Sequence, residues 1–184
     1  MAYADEVYAS IGEFKDYVRI PVEDDTDDAV LEVALMAASR AVDRFTGRVF
    51  GNAEDTRIFE VMDGYAVVDD LSRIDEVKLN GKAVTPSPWP RNAASVGRPY
   101  ERLFFTDTNA RGEVEVTGLF GWTAVPEAIK QATLLQANRI RARRDAPLGV
   151  AGSPETGSEL RLLARLDPDV EVLVRAYRRV WGAA

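Results

Sequence analysis

The sequence predicts an α+β fold, mainly helical: a helical bundle with a small antiparallel β-sheet insertion between helices. Three observations carry that expectation. Apolar residues recur at helical spacing across 31–45 and again across 125–140. Between them, residues 56–118 break into short β-prone runs separated by turn dipeptides. Finally, no segment repeats with a period of 20–50 residues, which removes solenoids and propellers. At 184 residues the chain reads as a single domain, large enough to bury a core without covalent staples.

Taken in order, Ser10 and Glu13 have capping-box spacing, and Phe14, Tyr17 and Val18 give the helix they start (about 10–19) an apolar side before Pro21 stops it. EDDTDD follows at 23–28. Thr26 is the expected N-cap of a helix over 26–46, with Asp27 and Asp28 in a first turn whose dipole favours negative charge. Leu31, Leu35, Ala38, Val42 and Phe45 form its stripe, Val30, Ala34, Ala37 and Ala41 a small-residue flank, and Gly47 its terminator. RIFEV, YAVVD, IDEVKL, RLFFT and EVEVTG are the strand candidates, with turns at Asp63-Gly64 and Asn80-Gly81. Residues 86–99, rich in Pro and Gly, form an excursion at the sheet edge. A helix over about 125–144 opens with Pro126 at its first position, and Val125, Ile129, Ala132, Leu135 and Ile140 line it. Residues 145–158 are a loop or arm, and helices return over about 159–181: a short piece from Leu160 to Leu166, then a final helix capped by Asp167 with Pro168 first.

Composition narrows function. Histidine and cysteine are absent, which removes the commonest general base, thiolate metal sites and disulfides. There is no apolar run of membrane-spanning length and no signal-peptide pattern, so an intracellular site of synthesis is expected. The net charge of −7 is unevenly spread: residues 1–80 hold 19 acids and 8 bases, residues 81–184 hold 11 acids and 15 bases. Opposite halves of that kind suit pairing between neighbouring copies. The acidic run 23–28 lacks the spacing and glycine of a calcium loop. Asp69-Asp70 and the Glu113/Glu115 pair are the nearest approach to catalytic carboxylates, and without a third partner they read as solvated strand faces. Phosphate-loop, dinucleotide and nucleophile-elbow patterns do not occur. No enzyme activity, metal or cofactor is therefore expected. Arg139, Arg141, Arg143 and Arg144 form the one dense basic patch, which favours contact with protein over nucleic acid because no aromatics interleave with them.

Residues 117–153 supply a longer pattern: a strand ending in Gly118, Phe120, Gly121 and Trp122; a Val125-Pro126 helix start followed by Ile129, Lys130 and Ala132; and an arginine-rich helix end at Arg143 and Arg144 running into Gly149. With YVRIP, the acidic spacer and RAVDRFTGRVF upstream, this resembles the head–tail connector (adaptor) proteins of long-tailed double-stranded DNA bacteriophages. The resemblance implies a structural virion protein of the capsid–tail neck, made in the host cytoplasm. In that family a ring, usually of twelve copies, sits beneath the portal protein, extends the DNA channel and docks the stopper or tail-completion protein, while DNA passes without specific binding. The alternative is another neck or tail-completion protein such as a stopper, or a small carboxylate-dependent enzyme. On the connector reading, Leu148 and Val150 anchor an arm that orders on assembly, with Arg143 and Arg144 beside it. Tyr177, Arg178, Arg179 and Trp181 then form the C-terminal partner contact.

Overall fold

The computed structural model describes residues 7–145, 150–151, 160–161 and 167–179. They gather into two compact units, Val49–Val125 and the chain on either side of it.

The flanking unit holds the helices: α1 (Ile11–Val18), α2 (Asp28–Thr46), α3 (Glu127–Asp145) and α4 (Pro168–Val174). The expected capping box starts α1. The Ser10 hydroxyl accepts from the Glu13 N–H at 3.2 Å, and the Glu13 carboxylate accepts from the Ser10 N–H at 2.7 Å. Helix α2 begins one residue later than expected. Asp27, not Thr26, is its N-cap, and the Thr26 N–H is instead drawn back to the Asp24 carboxylate at 3.2 Å, an Asx turn that competes with helix. Asp28 pairs with buried Lys15 at 2.6 Å. At the other end Gly47 adopts φ 66° and donates to the Asp43 carbonyl, as a terminating glycine should.

Helix α3 packs on α1, α2 and α4, so burial wraps around it and is not confined to one stripe. Ile129, Ala132, Thr133, Leu134, Gln136 and Ala137 are buried, while Leu135, expected in the core stripe, is half-exposed. The buried hydroxyls cost little because Thr133 donates to the Ile129 carbonyl and Ser39 to that of Leu35, each at 2.9 Å. Phe14, Leu31, Ala34, Leu35, Ala38, Leu134 and Ala137 form the core of this unit. Pro126 stands just before the helix: its carbonyl accepts from the Ile129 and Lys130 N–H groups, the role of an N-cap and not of the first helical residue. Asp167 caps α4 by accepting from the Asp169 N–H at 2.9 Å, with Pro168 first as expected.

Two expectations for the C-terminal region change. Leu160–Arg161 is not helical; it forms a short strand, β8, antiparallel to β7 (Val150–Ala151). The final helix is shorter than the stripe to Trp181 implied, passing at Val174 into a single 3-10 turn, Arg175–Tyr177. Trp181 lies outside the described residues.

The central unit is a six-stranded antiparallel sheet, and it is substantial where a small insertion was expected: β1 (Asn52–Met62), β2 (Tyr65–Leu79), β3 (Lys82–Ala83), β4 (Ser87–Trp89), β5 (Tyr100–Phe104) and β6 (Gly112–Gly121). The order is β1-β6-β2-β5-β4, with β3 on β2. YAVVD and IDEVKL belong to one 15-residue strand that bends through register shifts between Val67 and Leu71 and between Leu71 and Glu76. Both turn dipeptides have positive φ at both residues, the two-residue hairpin geometry that follows the strand twist. Within the 86–99 excursion, Ser87–Trp89 does pair, as an edge strand on β5, where the missing N–H of Pro88 costs no ladder bond. One face buries Val61, Val68, Leu71, Leu103, Val114, Val116 and Phe120.

Lys130 makes the start of α1 sensitive to acid. Its ammonium lies 2.7 Å from Glu13 and, together with the Ser10 bonds, holds that carboxyl down at about 2. A depressed carboxyl stabilises the fold above its unfolded value near 4.5 and loses that contribution as pH falls toward 2. Asp43 acts in the opposite sense, since burial raises it against the pull of the Tyr8 hydroxyl and Arg40. Glu13→Gln is expected to cost about 1 kcal/mol at pH 7, the usual value of a cap. Thermal melts of variant and parent should then converge as pH drops below 4.5.

Candidate functional site

The strand-end signature is a packing device. A Cβ on Gly118 would stand 2.1 Å from the Arg73 carbonyl oxygen, so only glycine lets β6 approach the bent part of β2. Gly121 has φ 101°, and a Cβ there would lie 1.8 Å from the Gly51 carbonyl oxygen. Trp122 follows, 4% exposed. Its indole N–H donates to the buried Asp70 carboxylate at 3.0 Å, its carbonyl accepts from Asn52 Nδ2 at 2.8 Å, and its ring tilts against Phe50 at 5.3 Å. Phe120 points into the sheet core beneath the Arg57 guanidinium, 4.3 Å from the ring centroid. Gly118, Phe120, Gly121 and Trp122 thus lie inside the sheet unit, with Pro126 at the helix start beyond.

Three of the four carboxylates in the candidate pairs have side-chain partners. Asp70 is committed to Trp122, and Asp69 to Arg57 at 2.9 Å. Glu115 meets Lys78 at 3.4 Å. Among the described residues, no group of three or more His, Cys, Asp or Glu could hold a metal ion.

The expected partner contacts are only partly within view. Leu148 and Trp181 lie outside the described residues, and Val150 is described as backbone of β7 alone. Tyr177, Arg178 and Arg179 return to the end of α2: Arg48 Nε donates to the Tyr177 carbonyl at 2.6 Å, the Arg178 guanidinium lies 5.8 Å from the Phe45 ring centroid, and the Arg179 N–H donates to the Thr46 carbonyl at 2.7 Å. This segment therefore closes the helical unit through its backbone while Arg178 remains exposed. Arg143 is half-buried and Arg144 exposed. Arg144 and Arg141 line a hollow of about 220 Å³ against Asp27, Val30 and Leu31 at the start of α2.

Sequence reasoning missed a second surface, the outer face of the sheet. Side chains alternate along strands, so Glu54, Thr56, Ile58 and Glu60 of β1 share this face with Glu113, Glu115, Thr117 and Leu119 of β6 and with Arg73, Glu76 and Lys78 of β2. Arg73 bridges Glu54 and Asp75 at 2.8 Å each, and its hydrogen bond holds the Asp75 carboxyl low. Lys78 pairs with Glu76 at 2.6 Å, which raises the ammonium. Glu60 sits directly opposite Glu113 in the ladder. Only strand alternation was legible; the facing of two like charges depends on register, which local sequence does not encode.

Substitution should separate the two kinds of glycine. Gly97 has φ 65° with open space around it, so Gly97→Ala is expected to cost about 1 kcal/mol, the penalty for an L-residue in the left-handed region. Gly121→Ala adds a backbone collision to that strain and should cost at least ~3 kcal/mol, the range of backbone and overpacking defects. Urea unfolding of both variants measures the difference.

No family model and no curated protein matches the chain. Its fold is similar to that of a chain in a solved structure described as "Neck of empty GTA particle computed with C6 symmetry", with a TM-score of 0.59 and 17% identity over 96% of this chain and 93% of that one. At that identity the likeness establishes a shared α+β fold across nearly the whole of both chains.

Proposed function

We propose that the protein is a structural subunit of a phage-type head–tail neck, acting as the adaptor that forms a ring beneath the portal, extends the DNA channel and docks the stopper or tail. One observation carries this reading: the fold matches a neck-particle chain along 96% of its length, helices and sheet together. The ordered strand–turn–helix pattern at 118–132 leads to the same family from sequence alone. A virion location and self-association follow from the role, and a ring of twelve copies is compatible with sixfold symmetry.

The chemistry fits a scaffold. The Asp69-Asp70 pair serves packing and ion pairing, Asp70 with Trp122 and Asp69 with Arg57. An excess of negative charge on exposed sheet would also keep a polyanion from adhering, because attraction to phosphates produces tight, salt-dependent binding. The stopper alternative gains one point from the size of the sheet, which is larger than the sequence implied. The helical share of the chain favours the adaptor.

Negative-stain microscopy over a protein concentration series, with and without the cognate portal, tests the assignment. Rings alone, or collars seated on portals, are the expected result. Particles that stay monomeric and never decorate portals would overturn it, and binding only to a preformed portal–adaptor complex would reassign the chain as a stopper.

A further inference from the structure

We propose that the outer face of the sheet is one half of a head-to-tail contact between copies of this chain, and that the arginine-bearing end of α3 is the other half. The inference rests on the reading of the protein as a self-assembling neck subunit and names the two surfaces that would meet.

The sheet face has the makings of a receptor. A hollow of about 450 Å³ opens on it, lined by Ile58, Lys78, Glu113 and Glu115 with the Asn80-Gly81 turn. Ile58 is 63% exposed, a large aliphatic side chain that nothing in its own sheet unit covers. Around it the charge is unbalanced. Arg73 and Lys78 are already shared among Glu54, Asp75, Glu76 and Glu115. Glu60 and Glu113 face each other across the ladder, and neither carboxylate has a cation among the described residues. Like charges directly opposite in a sheet destabilise it. A partner that brings cations to this spot therefore removes a repulsion as well as adding an attraction.

Arginine is the side chain that suits such a place. Its aliphatic stem can lie along Ile58 while the planar guanidinium bridges two carboxylates. The same chain presents arginines in the matching arrangement. Arg141 and Arg144, one turn apart near the end of α3, have no ion pair among the described residues and wall a hollow of their own. The sheet hollow supplies carboxylates for the arginines and an aliphatic side chain for their stems, while the α3 hollow sets two arginines against the single carboxylate of Asp27 and so keeps an excess of positive charge. Because the two surfaces differ, the contact is heterologous, the type that propagates from copy to copy and closes into a ring when the rotation permits.

A charge exchange tests this on the full-length protein. The variants are Glu60→Lys with Glu113→Lys, and Arg141→Glu with Arg144→Glu. Each alone should fold, by circular dichroism, yet lose self-association by at least tenfold in sedimentation velocity under conditions where the parent assembles. Mixed in equal amounts, the two should assemble again, since the reversed sheet face of one then meets the reversed helix end of the other around an alternating ring. Glu113→Gln guards against a folding artefact. It relieves the Glu60 repulsion, so it should melt at or above the parent temperature while still weakening assembly.

If both reversed variants assemble like the parent, or if mixing them restores nothing, the proposed contact is wrong and the neck assignment is untouched. If the parent itself never assembles, with or without portal, the neck assignment falls and this contact with it.

Discussion

The sheet unit depends on one close approach, that of β6 to its two neighbours. Strand β6 is the partner of β1 along its whole length and of the C-terminal half of β2, so both pairings run through it. That position requires glycine where the Arg73 carbonyl presses on Gly118 and where the Gly51 carbonyl presses on Gly121. Once β6 is seated, Trp122 falls against Phe50 and its indole N–H reaches Asp70. A buried carboxylate is costly unless it is paired or hydrogen-bonded, so that bond makes the arrangement specific as well as tight. The strand–turn pattern behind the resemblance has a mechanical content: it fixes the strand from which the chain then passes into α3.

Charge is organised as partly buried ion pairs within each unit and an excess of one sign on particular surfaces. Lys15 with Asp28 and Arg139 with Asp167 tie helices of one unit together. Arg57 joins Asp55 on its own strand to Asp69 on β2. On the outer sheet face the bases are too few for the acids, and at the end of α3 Arg141 and Arg144 outnumber Asp27 in their hollow and form no ion pair among the described residues. A chain that needed only to fold gains nothing from either imbalance. A chain that must find the next copy of itself gains registration and speed of encounter from both.

Most local signals in the sequence held and non-local ones did not, although the helix starts expected at Thr26 and Pro126 were each off by one position. Ser10 with Glu13, Asn80-Gly81, Gly47 and Asp167-Pro168 were all legible because each acts on a backbone within a few residues. The extent of the sheet was hidden because Asp69-Asp70 looks like a polar break between two short strands. Asp70 lies inside one long strand, and the Trp122 indole that makes it tolerable there is 52 residues away. Helix α3 defeated the single-stripe reading for a related reason, since three helices pack on it. The Glu60 and Glu113 opposition was equally invisible, because register is a property of the folded ladder. Val150 and Leu160 could be read only as loop and helix, while their backbones meet in a small two-stranded ribbon.

The central claim is that this chain is a neck subunit that joins the portal as a ring. Mass photometry of portal particles titrated with the protein addresses it most directly. The account predicts a saturating mass increase equal to one closed ring of copies per portal, twelve by the family resemblance. A portal mass that stays unchanged at saturating protein, or rises without a plateau, would contradict it.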